Sequence, residues 1–218
     1  MKQITFSTKQ EIFNSIIVRP EEIRMNENGC FNESLWEDVL LDKFIEPKDE
    51  LNICELGTWL GYGANRLATY LKRKEKKFQI TCVDTWLGSP EHLTNPQTIK
   101  EMKLKNGYPS FYYDFLEVTK FFENEDVINP FPNTTSTFFR CVHINKIKFD
   151  IVIIDASHQY EDVLEDLYGS WEMLVPGGVI IGDDLLWEPV SRAVKTFIKQ
   201  RNVNNLNKTD SQYIIKKT

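Results

Sequence analysis

Three aspartates and a histidine in the second half of the chain have residue types and spacing suited to metal binding and proton transfer. Asp155 ends one apolar run that is typical of a buried strand, and Asp183 and Asp184 end another. His158 follows Asp155 by three residues. The carboxyl ends of neighbouring parallel strands meet at one edge of a sheet, where carboxylates would repel each other and a divalent cation would relieve the repulsion. The alternative is that one aspartate caps a helix and the others are solvated.

A glycine-rich stretch near the middle of the first half predicts a ligand-binding turn. Residues 52–63 run from an apolar strand pattern through Glu55 into a turn with glycines at positions 57, 61 and 63, and helical spacing follows. Glycines allow close backbone approach to a ligand, and the start of a helix offers unpaired N–H groups. The spacing differs from both the dinucleotide fingerprint and the phosphate loop of nucleotide hydrolases. An acid at the end of the strand suits a cationic ligand better than a pyrophosphate.

A second strand pattern, residues 78–84, also ends in an acid. Asp84 lies 27 residues after Gly57 (84 − 57 = 27), near the spacing at which an acid reaches ribose hydroxyls in doubly wound nucleotide folds. Alone, such an aspartate would more often serve a turn or a helix cap. Its place after this strand and this loop favours ribose binding.

The alternation of strand and helix patterns predicts an α/β fold. Residues 50–218 are predicted to form a doubly wound, mostly parallel seven-stranded sheet with helices on both faces and an antiparallel last strand, so that every motif lies on one edge. Residues 212–215 are predicted to be an edge strand, because lysines surround them. Residues 1–49 are predicted to form a leader with two helices. This leader either covers the ligand site as a lid or adds a packing layer to the domain.

Composition narrows the class of protein. With 218 residues, 41% of them hydrophobic, the chain can bury a full core. A net charge of −6 argues against a nucleic-acid partner. The four cysteines have no metal-ligand spacing, and no run approaches membrane-spanning length, so a reduced, cytoplasmic protein without a membrane partner is expected. The oligomeric state, including a homo-oligomer, is left open.

Together these motifs resemble those of class I methyltransferases that use S-adenosylmethionine. Glu-x-Gly-x3-Gly-x-Gly, at residues 55–63, resembles the loop that wraps the amino-acid end of this cofactor. Two further motifs are similar to those of small-molecule O-methyltransferases related to macrocin and mycinose-type sugar methyltransferases. They are Val-Asp-Thr-Trp-x-Gly-Ser at residues 83–89 and Asp-x-x-His-x-Tyr-x-x-Val-x-x-Asp-Leu at residues 155–167, where Ala156 replaces the usual glycine. The resemblance covers roughly residues 50–200.

The resemblance implies transfer of a methyl group from S-adenosylmethionine to a hydroxyl of a small molecule, leaving S-adenosylhomocysteine. It implies a Mg²⁺ or Mn²⁺ site at Asp155, Asp183 and Asp184, with His158 as the general base. The residues expected to bind the cofactor are Glu55, Gly57, Thr58, Gly61, Gly63, Asp84, Trp86 and Ser136. Trp86 would pack against the adenosine or lie in the core. Ser136 stands where the family usually carries an acid or a serine near the adenine.

Two other classes of protein fit parts of the pattern. One is an oxidoreductase or epimerase of the Rossmann type that binds a nicotinamide cofactor, which the glycine spacing disfavours. The other is a non-catalytic binding module with the same fold, which the intact acids and histidine disfavour. The sequence does not identify the acceptor, because acceptor pockets are built from variable leaders and loops. The long polar segment at residues 90–110 is predicted to lie near the acceptor mouth.

Overall fold

The computed structural model describes residues 9–20, 23, 47–203, 206–209 and 211–217. The strands are β1 (Glu50–Leu56), β2 (Lys77–Asp84), β3 (Ile128–Pro132), β4 (Phe149–Ile154), β5 (Leu174–Gly182), β6 (Leu206–Lys208) and β7 (Tyr213–Lys216). The helices are α1 (Lys9–Phe13), α2 (Tyr62–Arg73), α3 (Pro90–Thr94), α4 (Pro96–Glu101), α5 (Phe111–Phe121), α6 (Thr135–Asn145), α7 (Tyr160–Met173) and α8 (Glu188–Arg201). No helix in the described ranges is long and apolar enough to cross a membrane.

The strands form one seven-stranded sheet in the order β3-β2-β1-β4-β5-β7-β6. Strands β1 to β5 are parallel, and β7 runs antiparallel to both β5 and β6. The predicted α/β fold with a mostly parallel seven-stranded sheet is therefore confirmed. The order reverses beside β1, which lies between β2 and β4. Open α/β sheets bind ligands at such a reversal, outside the carboxyl ends of the strands.

Apolar residues on both faces of the central strands explain why helices cover the sheet on both sides. On β1, Ile53 packs into a core with α2 and α5, whereas Cys54 and Leu56 pack into a second core with α6, α7 and α8. Because alternate strand residues point to opposite faces, a strand buried between two helical layers must be apolar at nearly every position. The buried Asn52 is an exception on β1, and its side chain donates to the Lys148 carbonyl at 2.7 Å.

The position of residues 212–215 in the sheet differs from the predicted one. Residues 212–215 were expected at the sheet edge, but β7 pairs with β5 on one side and with β6 on the other, so β6 forms that edge. Tyr213, Ile214 and Ile215 are buried. The lysines that follow them lie where the strand ends, and they do not protect a sheet edge from pairing.

The described part of the leader packs on α5. Phe13 at the end of α1 is buried in the core. The Arg19 guanidinium lies 2.7 Å from the Glu117 carboxylate, and the Lys120 ammonium donates to the Ile16 carbonyl at 2.7 Å. These contacts join residues 13–19 to one helix of the domain. The second predicted leader helix lies outside the described residues.

Candidate active site

A cleft of about 550 Å³ opens at the carboxyl ends of β1, β2 and β4. The glycine-rich turn after β1 forms one wall, and the residues that follow β4 form another. Of the residues predicted from sequence, those that line it are Glu55, Gly57, Thr58, Gly61, Gly63, Asp84, Ser136, Asp155, His158 and Asp184. The fold therefore brings together residues that lie up to 129 positions apart (184 − 55 = 129).

Gly57 is required by both its backbone angle and its surroundings. Its φ is +81°, a left-handed value that side chains with a Cβ rarely adopt, and a Cβ there would lie 2.1 Å from the Asp155 carbonyl oxygen. Gly61, with φ of +82°, stands directly before α2, where a Cβ would lie 2.6 Å from the ring of Phe115. The glycine turn is thus held tightly between the end of β4 and α5.

Asp84 is fixed by backbone amides from two different loops. Its Oδ1 accepts a hydrogen bond from Trp86 N at 2.8 Å, and its Oδ2 accepts one from Trp59 N at 2.7 Å. Burial raises the pKa of this carboxyl, and the backbone hydrogen bonds act in the opposite direction. The carboxylate is therefore held rigidly at the rim of the cleft.

Trp86 does not line the cleft. Its side chain is 2% exposed and packs between the rings of Tyr112 and Phe115, and its Nε1 donates to the Trp59 carbonyl at 2.6 Å. The structure thus favours the core over the adenosine contact. The indole supports the glycine turn from behind, because a large ring at this strand end fills the space between β2 and α5.

Glu55 is a buried acid whose carboxyl group is not fully hydrogen-bonded. The residue is 3% exposed, and its Oε2 has no hydrogen-bond partner among the described residues. Burial, with the charge of Asp155 as a second cause, raises the pKa of Glu55 to about 8. A buried carboxyl of this kind ionises readily only when a positive group comes close. Its place in the cleft therefore suits a cationic ligand.

Asp155, His158 and Asp184 form one cluster whose donor atoms lie within 4.8 Å of one another. The His158 Nε2 lies 2.8 Å from the Asp184 Oδ2. Burial, followed by the charges of Asp183 and Asp184, raises the pKa of Asp155 to about 7. Two carboxylates and an imidazole are a donor set that fits a divalent cation, and such a cation would remove the repulsion that raises this pKa.

Asp183, the third predicted ligand, lies outside this cluster. Its Oδ1 accepts from Asp184 N at 2.9 Å, and its Oδ2 accepts from the Gln212 side chain at 3.4 Å. Adjacent residues at a strand end point in different directions. Here the Asp183 side chain contacts Gln212 just before β7, whereas Asp184 lines the cleft. The structure thus joins two of the predicted ligands to His158.

Two residues that line the cleft were not predicted as site residues, although Asp166 belongs to the motif at residues 155–167. His92 lines the cleft and stacks on Trp59, with ring centroids 4.1 Å apart and planes at 21°. Asp166 lines it from α7, hydrogen-bonds to the Thr135 side chain, and has its pKa raised to about 7 by burial. Among the described residues, seven with a carboxyl side chain line the cleft: Glu55, Asp84, Asp155, Asp162, Glu165, Asp166 and Asp184.

The chain matches a family described as Methyltransferase domain over residues 54–185. This match covers more than half of the chain, and the protein belongs to that family. The matched segment contains the glycine turn, Asp84 and the Asp155–Asp184 cluster. No curated protein matches the chain by sequence.

Solved structures of methyltransferases have the same fold. The O-methyltransferase NovP is 14% identical, with a TM-score of 0.61 over 85% of this chain and 78% of that one. The calicheamicin methyltransferase CalS11 is 16% identical, with a TM-score of 0.58 over 84% of this chain and 76% of that one. An O-methyltransferase from Bacillus cereus in complex with SAH is 14% identical, with a TM-score of 0.57 over 96% and 90%. Fold and family together confirm the prediction of a class I methyltransferase that uses S-adenosylmethionine.

The burial of Glu55 predicts a pH-dependent stability. Between about pH 4.5 and 8 the folded protein keeps a proton on Glu55 that the unfolded chain has released, so the free energy of unfolding falls as pH rises through this window. Glu55→Gln removes this titration and is expected to raise the free energy of unfolding at pH 8 by roughly 1–3 kcal/mol. Urea unfolding at pH 5.5 and pH 8 measures both effects.

Glu161→Gln is the matched control, because Glu161 is an exposed acid on α7. This control should unfold with the pH dependence of the wild type. A Glu55→Gln variant whose stability depends on pH as steeply as the wild type would contradict the assignment of this titration to Glu55.

Proposed function

We propose that the protein transfers a methyl group from S-adenosylmethionine to a hydroxyl group of a small molecule, leaving S-adenosylhomocysteine. The observation that carries this proposal is one cleft lined both by the glycine turn with Asp84 and by Asp155, His158 and Asp184. The first group suits a cationic nucleoside cofactor, and the second suits an alcohol that must lose a proton. The O-methyltransferases with the same fold, NovP among them, support an oxygen acceptor.

The glycine turn and two acids provide the cofactor contacts. Each oxygen of the Asp84 carboxylate already accepts one backbone N–H, and each can accept a further hydrogen bond from a ribose hydroxyl. The Glu55 carboxyl offers a buried negative group to a cation such as an amino-acid ammonium. When bound, S-adenosylmethionine supplies an electrophilic methyl group on a sulfonium. The residues of the chain have only to hold it in line with the acceptor oxygen.

His158 is the proposed general base. An alcohol is too weakly acidic to attack at neutral pH, whereas an imidazole titrates in the right range. The His158 Nε2 lies 2.8 Å from the Asp184 Oδ2, whereas the Nδ1 atom is buried. The Asp184 carboxylate orients the ring and would stabilise the imidazolium that forms when the ring takes the hydroxyl proton.

Asp155 and Asp184 are the proposed holders of a divalent cation, Mg²⁺ or Mn²⁺. Their carboxylate oxygens belong to the cluster, and oxygen ligands are those that these metals prefer. A bound cation would act as a Lewis acid that lowers the pKa of the acceptor hydroxyl. Asp183 supports the site from behind through its hydrogen bond to Asp184 N.

Removal of metal tests this site. Chelation with EDTA is expected to abolish methyl transfer, and added Mg²⁺ or Mn²⁺ should restore it. Asp155→Asn should weaken the response to metal by at least roughly tenfold, because removal of even a supporting group at a metal site has effects of that size. Asp183→Asn is the matched control, and it should need less added metal than Asp155→Asn to reach the same activity. Full turnover in the chelator would show that these acids do not hold a required cation.

Substitution of His158 tests the base. His158→Ala is expected to lower turnover at least roughly 100-fold and to leave the affinity for S-adenosylmethionine unchanged, because a positioned base acts only on the chemical step. The wild-type rate should also fall as pH decreases through the histidine pKa, since the protonated ring accepts no proton. His143→Ala, which removes an exposed histidine on α6, is the control. Turnover within a few-fold of wild type in His158→Ala would assign the proton transfer to another group.

A further inference from the structure

An exposed aromatic ring stands beside the proposed base. The ring centroid of Trp187 lies 4.9 Å from that of His158, with the planes inclined at 39°. Trp187 is 49% exposed and its neighbour Leu186 is 77% exposed. Tryptophan is usually buried, and an indole left half exposed against a cleft residue offers a free face to a ligand.

The backbone fixes the position of this ring. Trp187 N donates to the Asp184 carbonyl at 2.9 Å, which closes a turn directly after the acid of the cluster. The Trp187 carbonyl accepts from Ser191 N at 2.9 Å, and Pro189 stands in the first turn of α8. Proline in that place is preorganised for the helix. These bonds fix the Trp187 backbone relative to Asp184, and the indole contacts the His158 ring from that position.

The charge of the cleft limits what can bind there. Seven carboxylates line it, and none of the described lining residues is a lysine or an arginine. Binding sites for phosphate and carboxylate groups usually contain arginine or lysine, because these side chains pair with the anion. The raised pKa values of Glu55 and Asp166 leave these two groups partly protonated near neutral pH, and a single divalent cation would balance part of the negative charge that remains. An acceptor that carries a phosphate or carboxylate would be repelled.

We infer that Trp187 forms one wall of the acceptor subsite and that this subsite takes an uncharged alcohol carried on a ring. The inference rests on the proposed function. A flat aromatic ring or the C–H face of a pyranose would pack against the indole, while a hydroxyl on the same ring reaches His158. An acyclic polyol has no such face. Trp187 thus selects the shape of the acceptor, and the carboxylates select its charge.

Ligand-observed saturation-transfer NMR on the protein loaded with S-adenosylhomocysteine and Mg²⁺ tests this inference without requiring turnover. The four probes are catechol, methyl α-D-mannopyranoside, D-mannitol and D-mannose 6-phosphate. The first two carry uncharged rings of aromatic and sugar type, the third is acyclic, and the fourth is anionic. At least one ring probe is expected to bind at least roughly tenfold more tightly than mannitol or the phosphate.

Variants of Trp187 complete the test. Trp187→Ala should weaken the bound ring probe by roughly tenfold, and Trp187→Phe should stay within about threefold of wild type, because it keeps an aromatic face. Tyr113→Ala removes another exposed aromatic residue, which lies on α5, and should have no effect. Calorimetry should show unchanged affinity for S-adenosylhomocysteine in all three variants.

Three results would overturn the inference: unchanged ring binding in Trp187→Ala, mannose 6-phosphate binding as tightly as the mannoside, or no binding of either ring probe to the loaded protein. Failure of the wild type to bind S-adenosylhomocysteine is a different result. It would contradict the proposed function itself.

Discussion

The contact between Gly57 and the backbone of Asp155 is the constraint on which the site depends. A Cβ at position 57 would lie 2.1 Å from the Asp155 carbonyl oxygen, and Asp155 N donates to the Leu56 carbonyl at 2.9 Å. The turn expected to face the cofactor and the acid expected to face the acceptor therefore touch through their backbones. Because β1 and β4 are paired neighbours, the distance between the two halves of the reaction is set by the sheet and not by mobile loops. A rigid spacing of this kind is what an in-line displacement needs.

The concentration of acids in this small volume affects both the stability of the fold and the ligands that the cleft can bind. Burial raises the pKa of Glu55 to about 8, and burial with neighbouring acids raises that of Asp155 to about 7. Both groups would ionise at some cost to the stability of the fold. Positive ligands would relieve this cost, so the charges that weaken the fold are those proposed to bind a sulfonium cofactor and a divalent cation. Ligands that bind only the folded state should also stabilise it in proportion to their saturation.

Local patterns predicted most of this architecture. Strands such as β4, with its run of β-branched residues, and the glycine spacing after Glu55 are short-range signals, and right-handed crossovers place the motifs on one edge of the sheet. The misplaced features depend on tertiary contacts. Trp86 lies in the core because α5 packs over it, and β7 lies inside the sheet because β6 pairs with it. His92 stacks on Trp59, a contact between residues 33 positions apart (92 − 59 = 33) that no local pattern predicts, and its Nδ1 is also hydrogen-bonded to Ser89.

The cleft over the glycine turn is proposed to bind S-adenosylmethionine through Asp84. Isothermal titration of the wild type and of Asp84→Asn with S-adenosylmethionine, S-adenosylhomocysteine and NAD is the most direct test of this binding. The wild type is expected to bind the first two ligands and not NAD. Asp84→Asn is expected to weaken binding of both by roughly 1.5–3 kcal/mol, the range for hydrogen bonds to a charged group. Equal affinity for NAD, or unchanged affinity for S-adenosylmethionine in a folded Asp84→Asn variant, would contradict this proposal.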